Sequence, residues 1–129
     1  MEITVVDHFS SLVETCGTSD IGRELLAMYD HTVQFSILDG DPFYFTAKNG
    51  EGRVVKGEMP STTIVNGYEI KGSSRHLLEW FCGRDRMSDL IERGELFPVA
   101  SHTTKRHIDY WLAQIVRLGN GIKTPKEVY

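Results

Sequence analysis

Between Thr32 and Gly57, apolar and polar side chains alternate in two consecutive runs, a period that a helix cannot gather onto one face. Val33, Phe35 and Ile37 alternate with Thr32, Gln34 and Ser36; after Asp39-Gly40, Phe43, Phe45 and Ala47 alternate with Tyr44, Thr46 and Lys48. Each run reads as a half-buried strand. Asp39-Gly40 and Asn49-Gly50 are pairs that tolerate positive φ, so a tight reversal is expected after each run. The stretch predicts a three-stranded meander with one aromatic, apolar face, and the remaining chain has to cover that face.

The helices for that task are legible from their spacing. Phe9, Leu12, Val13 and Cys16 recur at helical intervals, with Asp7 as expected cap and Gly17 as stop. From Ser19 or Asp20, Ile21, Leu25, Met28 and Tyr29 form a stripe expected to pack on the sheet. A fourth strand is predicted at Tyr68 to Gly72, after a loop containing Ile64 and Val65. A helix capped by Ser73 or Ser74 follows, with Leu77, Leu78 and Phe81 on one side and Gly83 as stop. Asp85 is the expected cap of the next, which carries Met87, Leu90 and Ile91. Leu96 to Val99 is a fifth strand; Pro98 lacks an amide donor and places it at an edge or a bulge. A last helix, from about Thr103 to Leu118, carries Ile108, Trp111, Leu112 and Ile115 on one stripe. Helices segregated from a run of strands define an α+β class.

The 129 residues fit one domain with one core, expected over about residues 20–118, and a loose tail over 119–129. A hydrophobic fraction of 40% with 25% charged residues is ordinary for a soluble domain, and no run approaches the ~20 apolar residues that cross a bilayer. The first residues lack a secretory pattern, and cytoplasm is the expected compartment. Cys16 and Cys82 have no CxxC spacing and are expected as reduced, structural residues. A net charge of -4 with scattered basic residues argues against a nucleic-acid partner.

Catalytic signals are sparse. His8, His31, His76, His102 and His107 show no HExxH pattern, so no metal is expected, and the chain contains no GxSxG elbow. Asn49-Gly50-Glu51-Gly52 links two strands instead of opening a helix, which excludes a phosphate cradle, and no cofactor is expected. The remaining lead is aromatic: Phe35, Phe43, Phe45, Phe81 and Trp111 should converge between sheet and helices, either as a packed core or as the wall of an apolar ligand site.

The order and spacing of several segments resemble the sterol carrier protein type-two family of small lipid-binding domains. These are the Val33-Gln34-Phe35-Ser36-Ile37 strand after a Leu25-Leu26 helix, the aromatic strand running into Ala47-Lys48-Asn49-Gly50-Glu51-Gly52, and Tyr68-Glu69-Ile70-Lys71-Gly72-Ser73 before the Leu77-Leu78 helix. The set closes with Leu90-Ile91-Glu92-Arg93-Gly94-Glu95-Leu96. Phe97-Pro98-Val99-Ala100-Ser101 departs from the alternating apolar and basic strand that the family commonly has there.

The resemblance implies a five-stranded, mostly antiparallel sheet covered on one face by helices, with an apolar tunnel between them. The lining it implies is Phe35, Ile37, Phe43, Phe45, Ile70, Leu77, Phe81, Leu90, Leu96, Trp111 and Ile115. The expected function is non-catalytic carriage of a sterol, fatty acyl or isoprenoid lipid, with at most transient membrane contact. The last helix with Trp111, or the loop around Ile64 and Val65, is the expected lid. The rivals are an enzyme using His76 on an acyl or steroid substrate, and a closed interaction module or homodimer using Phe97.

Overall fold

In the computed structural model, described for residues 4–60, 68–100 and 105–121, two helices precede four strands, and two helices, a fifth strand and a last helix follow. The helices are α1 (Val5–Cys16), α2 (Asp20–Ala27), α3 (Ser74–Phe81), α4 (Met87–Glu92) and α5 (Lys105–Gly119). The strands are β1 (His31–Ile37), β2 (Phe43–Lys48), β3 (Glu51–Lys56), β4 (Tyr68–Gly72) and β5 (Leu96–Ala100). The loop with Ile64 and Val65, His102, and the expected tail beyond residue 121 lie outside the described residues.

The strands form one sheet in the order β3-β2-β1-β4-β5, with β1 and β4 parallel and every other pair antiparallel. The meander register follows from the alternation: Val33 stands opposite Phe45 and Phe35 opposite Phe43. On the other side of β1 the same two residues pair with Tyr68 and Ile70, so one face collects the apolar side chains. The fifth strand lies at the edge, as Pro98 requires. Its Phe97 and Val99, 49% and 51% exposed, point away from the helices.

The two turn pairs behave differently. Asn49 and Gly50 adopt φ of 54° and 80° and close a two-residue hairpin, as their chemistry predicts. Asp39-Gly40 does not make a tight reversal: a five-residue link, Leu38 to Pro42, joins β1 to β2. Asp39 is occupied elsewhere, its carboxylate accepting from the backbone N–H and the hydroxyl of Ser74, each at 2.8 Å. These bonds hold its carboxyl below the usual range and tie the link to the first turn of α3.

Because β4 pairs with β1 and not with β3, the chain after β3 must cross the sheet. Gln34, on the face opposite the helices, fastens the start of that crossing: its amide donates to the Phe43 and Gly57 carbonyls, and its oxygen accepts from Met59 N–H at 2.7 Å. This is why a glutamine is buried on the face that alternation assigns to solvent.

Helix α1 starts earlier than Asp7 suggests. Thr4 is the cap, its hydroxyl accepting from Asp7 N–H at 3.2 Å, and Val5 and Val6 join the helix. Val5, Phe9, Leu12, Val13 and Cys16 are all buried, so the core extends into the first helix. Cys16 lies against α5, its thiol donating to the Ile115 carbonyl at 3.4 Å; burial pushes that thiol up to about 11. Such a group is inert at neutral pH.

Half of the stripe expected on α2 is corrected, while Leu25 and Tyr29 pack against the core. Ile21 and Met28 are 56% and 57% exposed, while Gly22 and Leu26 are buried. A face bearing Gly22 lets the helix approach the Cys16 carbonyl more closely than any side chain permits, and that approach turns Ile21 and Met28 outward.

Candidate functional site

The interior beneath the helices is aromatic. Phe35 and Phe43 stack with ring centroids 4.8 Å apart and planes 15° from parallel. Phe9 descends from α1 onto this pair and lies 5.0 Å from Phe35, 5.9 Å from Phe43, 5.4 Å from Phe45 and 4.8 Å from Phe81. Trp111 covers the far side of Phe45 at 5.6 Å and donates its indole N–H to the Leu25 carbonyl at 2.6 Å.

Beside this cluster a groove of about 740 Å³ opens between the first turn of α1, the β1–β2 link, the end of β3 and the first turns of α3. Its apolar lining is Val5, Val6, Ile37, Pro42 and Leu78; Thr4, Asp7, Asp41, Lys56 and Ser74 supply the polar part. Lys56 reaches it because its register partner is Phe43, which puts it on the helix side of the sheet. The volume falls within the usual range of small-molecule sites. A second hollow of about 510 Å³, near Ser10, Glu14, Arg23 and Arg53, is more strongly charged.

The structure distributes the eleven expected lining residues unevenly. Ile37 lines the groove. Phe35, Phe43, Phe45, Ile70, Leu77, Phe81, Leu90, Leu96, Trp111 and Ile115 are buried side chains of the core. Val5, Val6, Pro42 and Lys56 were missed, since an apolar pair before a helix and a lysine ending a strand carry no local mark of a cavity. Phe9, at the centre of the rings, was legible only as one member of a helical stripe.

The polar clusters lie elsewhere. His76 Nε2 is 3.0 Å from Glu95 Oε2, and Nδ1 is 2.9 Å from the Ser73 hydroxyl. Glu79 joins them, the three offering ligand-type atoms within 4.8 Å of one another. Each carboxylate already has an arginine: Arg75 with Glu79 at 3.4 Å, and Arg93 with Glu95 at 2.8 Å. The hydrogen bond from Arg93 holds the Glu95 carboxyl below its usual range. Ser74 and Leu78 present α3 to the groove; His76 does not line it. On α1, His8 Nε2 lies 3.2 Å from the Phe81 carbonyl, and its Nδ1 is 4.0 Å from the Cys82 thiol.

Asp109, in α5, is only 6% exposed, and one of its oxygens lacks a hydrogen-bond partner. Burial pushes this carboxyl from 3.8 up to about 7. A folded-state value above the unfolded one means the folded chain holds the proton more tightly. The stabilisation from that proton is complete below the ordinary value of 3.8 and is lost as pH rises through about 7. Asp109→Asn is therefore expected to flatten this part of the pH dependence and to stabilise the protein most on the alkaline side. Urea midpoints of both chains at mildly acidic and mildly alkaline pH check this; an equal shift at both would contradict it.

No protein-family model matches the chain, and no curated protein matches it. Solved structures do. The sterol carrier protein domain 2 of Helicoverpa armigera superposes with a TM-score of 0.67 at 16% identity, over 92% of this chain and 90% of that one. Sterol carrier protein 2 from Yarrowia lipolytica, in its apo form, gives 0.64 at 16% identity over 92% and 91%. The UbiJ-SCP2 ubiquinone synthesis protein gives 0.65 at 12% identity over 89% of each chain. The chain has the sterol carrier protein 2 fold, as the resemblance implied.

Proposed function

We propose that the protein binds a lipid-type amphiphile without transforming it, the hydrocarbon lying in the groove between α1, α3 and the β1–β2 link. The observation that carries this reading is the groove itself: about 740 Å³, apolar along Val5, Val6, Ile37, Pro42 and Leu78, and polar at Thr4, Asp7, Asp41, Lys56 and Ser74. The likeness to sterol carrier protein 2 domains over about nine-tenths of both chains supports it. In this reading the ten other residues of the expected lining form the deeper wall, and Ile37 joins it to the groove.

Passive binding suffices energetically. Ten methylenes withdrawn from water contribute roughly 8 kcal/mol before ordering costs, consistent with affinity on the order of micromolar. Burial is non-directional, so several lipids of similar girth should be accepted. Among the described residues no helix is long and apolar enough to cross a membrane.

Titration with a fluorescent long-chain fatty acid tests the reading. Saturable binding is expected, weakened at least about tenfold by Leu78→Asp, which places a charge against the hydrocarbon. Phe97→Ser, on the outer face, is expected to leave binding unchanged. Absence of saturable binding, or equal binding by Leu78→Asp, would overturn it. Extraction of freshly purified protein followed by mass spectrometry would identify a copurifying lipid.

A further inference from the structure

Gly72 ends β4 opposite Leu96, the first residue of β5, so the chain leaving one strand and the chain entering the other meet at the same end of the sheet. Helix α3 starts there. Ser73 is its cap, and His76 and Glu79, three positions apart, are neighbours on the helix surface. Glu95, the residue before β5, is positioned by its own backbone, its N–H donating to the Leu90 carbonyl at 2.8 Å. The three side chains converge, each 24–28% exposed. No local spacing marks the set, because Glu95 lies sixteen positions after Glu79.

We propose that His76, Glu79 and Glu95 form a binding site for a divalent transition-metal cation of the zinc class, its remaining positions open to water. His76 Nε2 and Glu95 Oε2 lie 3.0 Å apart, close to the ~3.3 Å that separates ligand atoms around a tetrahedral zinc. A carboxylate oxygen of Glu79 completes a set whose members all lie within 4.8 Å of one another. The ring is oriented from behind, Nδ1 lying 2.9 Å from the Ser73 hydroxyl. With Nδ1–H donating to that oxygen, Nε2 presents its lone pair to the cation, as metal-binding histidines with an outer hydrogen-bond partner do. One imidazole nitrogen with two carboxylates favours a borderline cation over magnesium or calcium, which prefer oxygen ligands throughout. The arginines leave room for it. Arg93 bonds Glu95 through Oε1, while Oε2 is the atom facing His76, and Arg93 also reaches Asp85 at 3.4 Å, so it keeps a carboxylate partner when Glu95 turns to a cation. Arg75 is 81% exposed, and its i,i+4 pair with Glu79 contributes little. A dication held here would fasten the start of α3 to the chain entering β5.

The test is calorimetric titration of the metal-stripped full chain with zinc chloride, repeated on His76→Gln, Glu79→Gln and Glu95→Gln, with circular dichroism confirming each fold. A saturable zinc site is expected in the wild type. Each substitution should weaken it at least about tenfold, since even the loss of an outer hydrogen-bond partner costs a metal site about 10–100-fold. Excess magnesium should leave the zinc in place. Absence of saturable zinc binding by the wild type, or full zinc affinity in any one of the three folded variants, overturns the site; magnesium competing as well as zinc overturns the choice of cation. Should the variants fail to fold, the histidine ring resonances of the wild-type chain decide. Zinc shifting those of His76 first supports the site, and a first shift at another histidine overturns it.

Discussion

Alanine at position 22 is expected to destabilise the protein by at least about 3 kcal/mol, although it adds one methyl group and helix propensity favours it. A Cβ there would lie 1.8 Å from the Cys16 carbonyl oxygen, 2.6 Å from its carbon and 2.8 Å from its Cα. All three atoms are backbone, so no side chain can swing aside; α2 must move away from α1. That separation would strain Leu26, the buried anchor of α2, and Cys16, whose thiol bonds to Ile115 of α5. Gly17→Ala is the control. Gly17 has φ of -68° and its added Cβ would come no closer than 3.4 Å to the Glu14 carbonyl oxygen, so a change below about 1 kcal/mol is expected. Urea denaturation of the two variants measures the contrast, and similar stabilities would refute the close approach of α1 and α2.

Trp111→Ala is expected to cost about 3–5 kcal/mol. The indole is fully buried, touches Phe45 and Tyr29 at ring separations of 5.6 Å, and bonds to the Leu25 carbonyl. One side chain therefore joins α5, α2 and the sheet. Trp111→Phe keeps most of the volume but deprives the Leu25 carbonyl of its indole donor, and about 1–2 kcal/mol is expected. If the alanine and phenylalanine variants were equally stable by denaturant unfolding, the packing role assigned to the ring would be wrong. Against a typical total stability of roughly 5–15 kcal/mol, the alanine variant should lose a large share of its stability and melt well below the parent protein.

The particular elements show where local pattern is sufficient. Asn49-Gly50 makes the expected hairpin because both residues tolerate the positive φ that a two-residue turn requires. Asp39-Gly40 has the same local chemistry, but Ser74, thirty-five positions later, takes the aspartate as a capping acceptor and the reversal opens into a longer link. Ser19 and Ser73 cap their helices through bonds that close within three residues, whereas Asp85 does not cap α4, where Arg86 stands at the N-cap without a side-chain bond. On α2, periodicity selected the larger apolar residues, while tertiary contact selected the glycine.

The candidate site divides along the same line. Alternation in β1 and β2 was enough to place Phe35, Phe43 and Phe45 on one face, and helical spacing was enough to bury Phe81 and Trp111. Neither could locate the groove, whose walls come from four segments separated by up to some seventy positions.

From its order of residues alone, this chain determined the strands, the helices, the apolar side of the strands and the edge position of the proline-bearing strand, because each depends on backbone and side-chain preferences acting within a few residues. Only the tertiary structure decided that β4 runs parallel beside β1, that Gln34 fastens the start of the crossing, and that Phe9 meets four rings beneath the helices. Periodicity states which surface must leave water; close packing between distant segments selects the surface it meets and the space left between them.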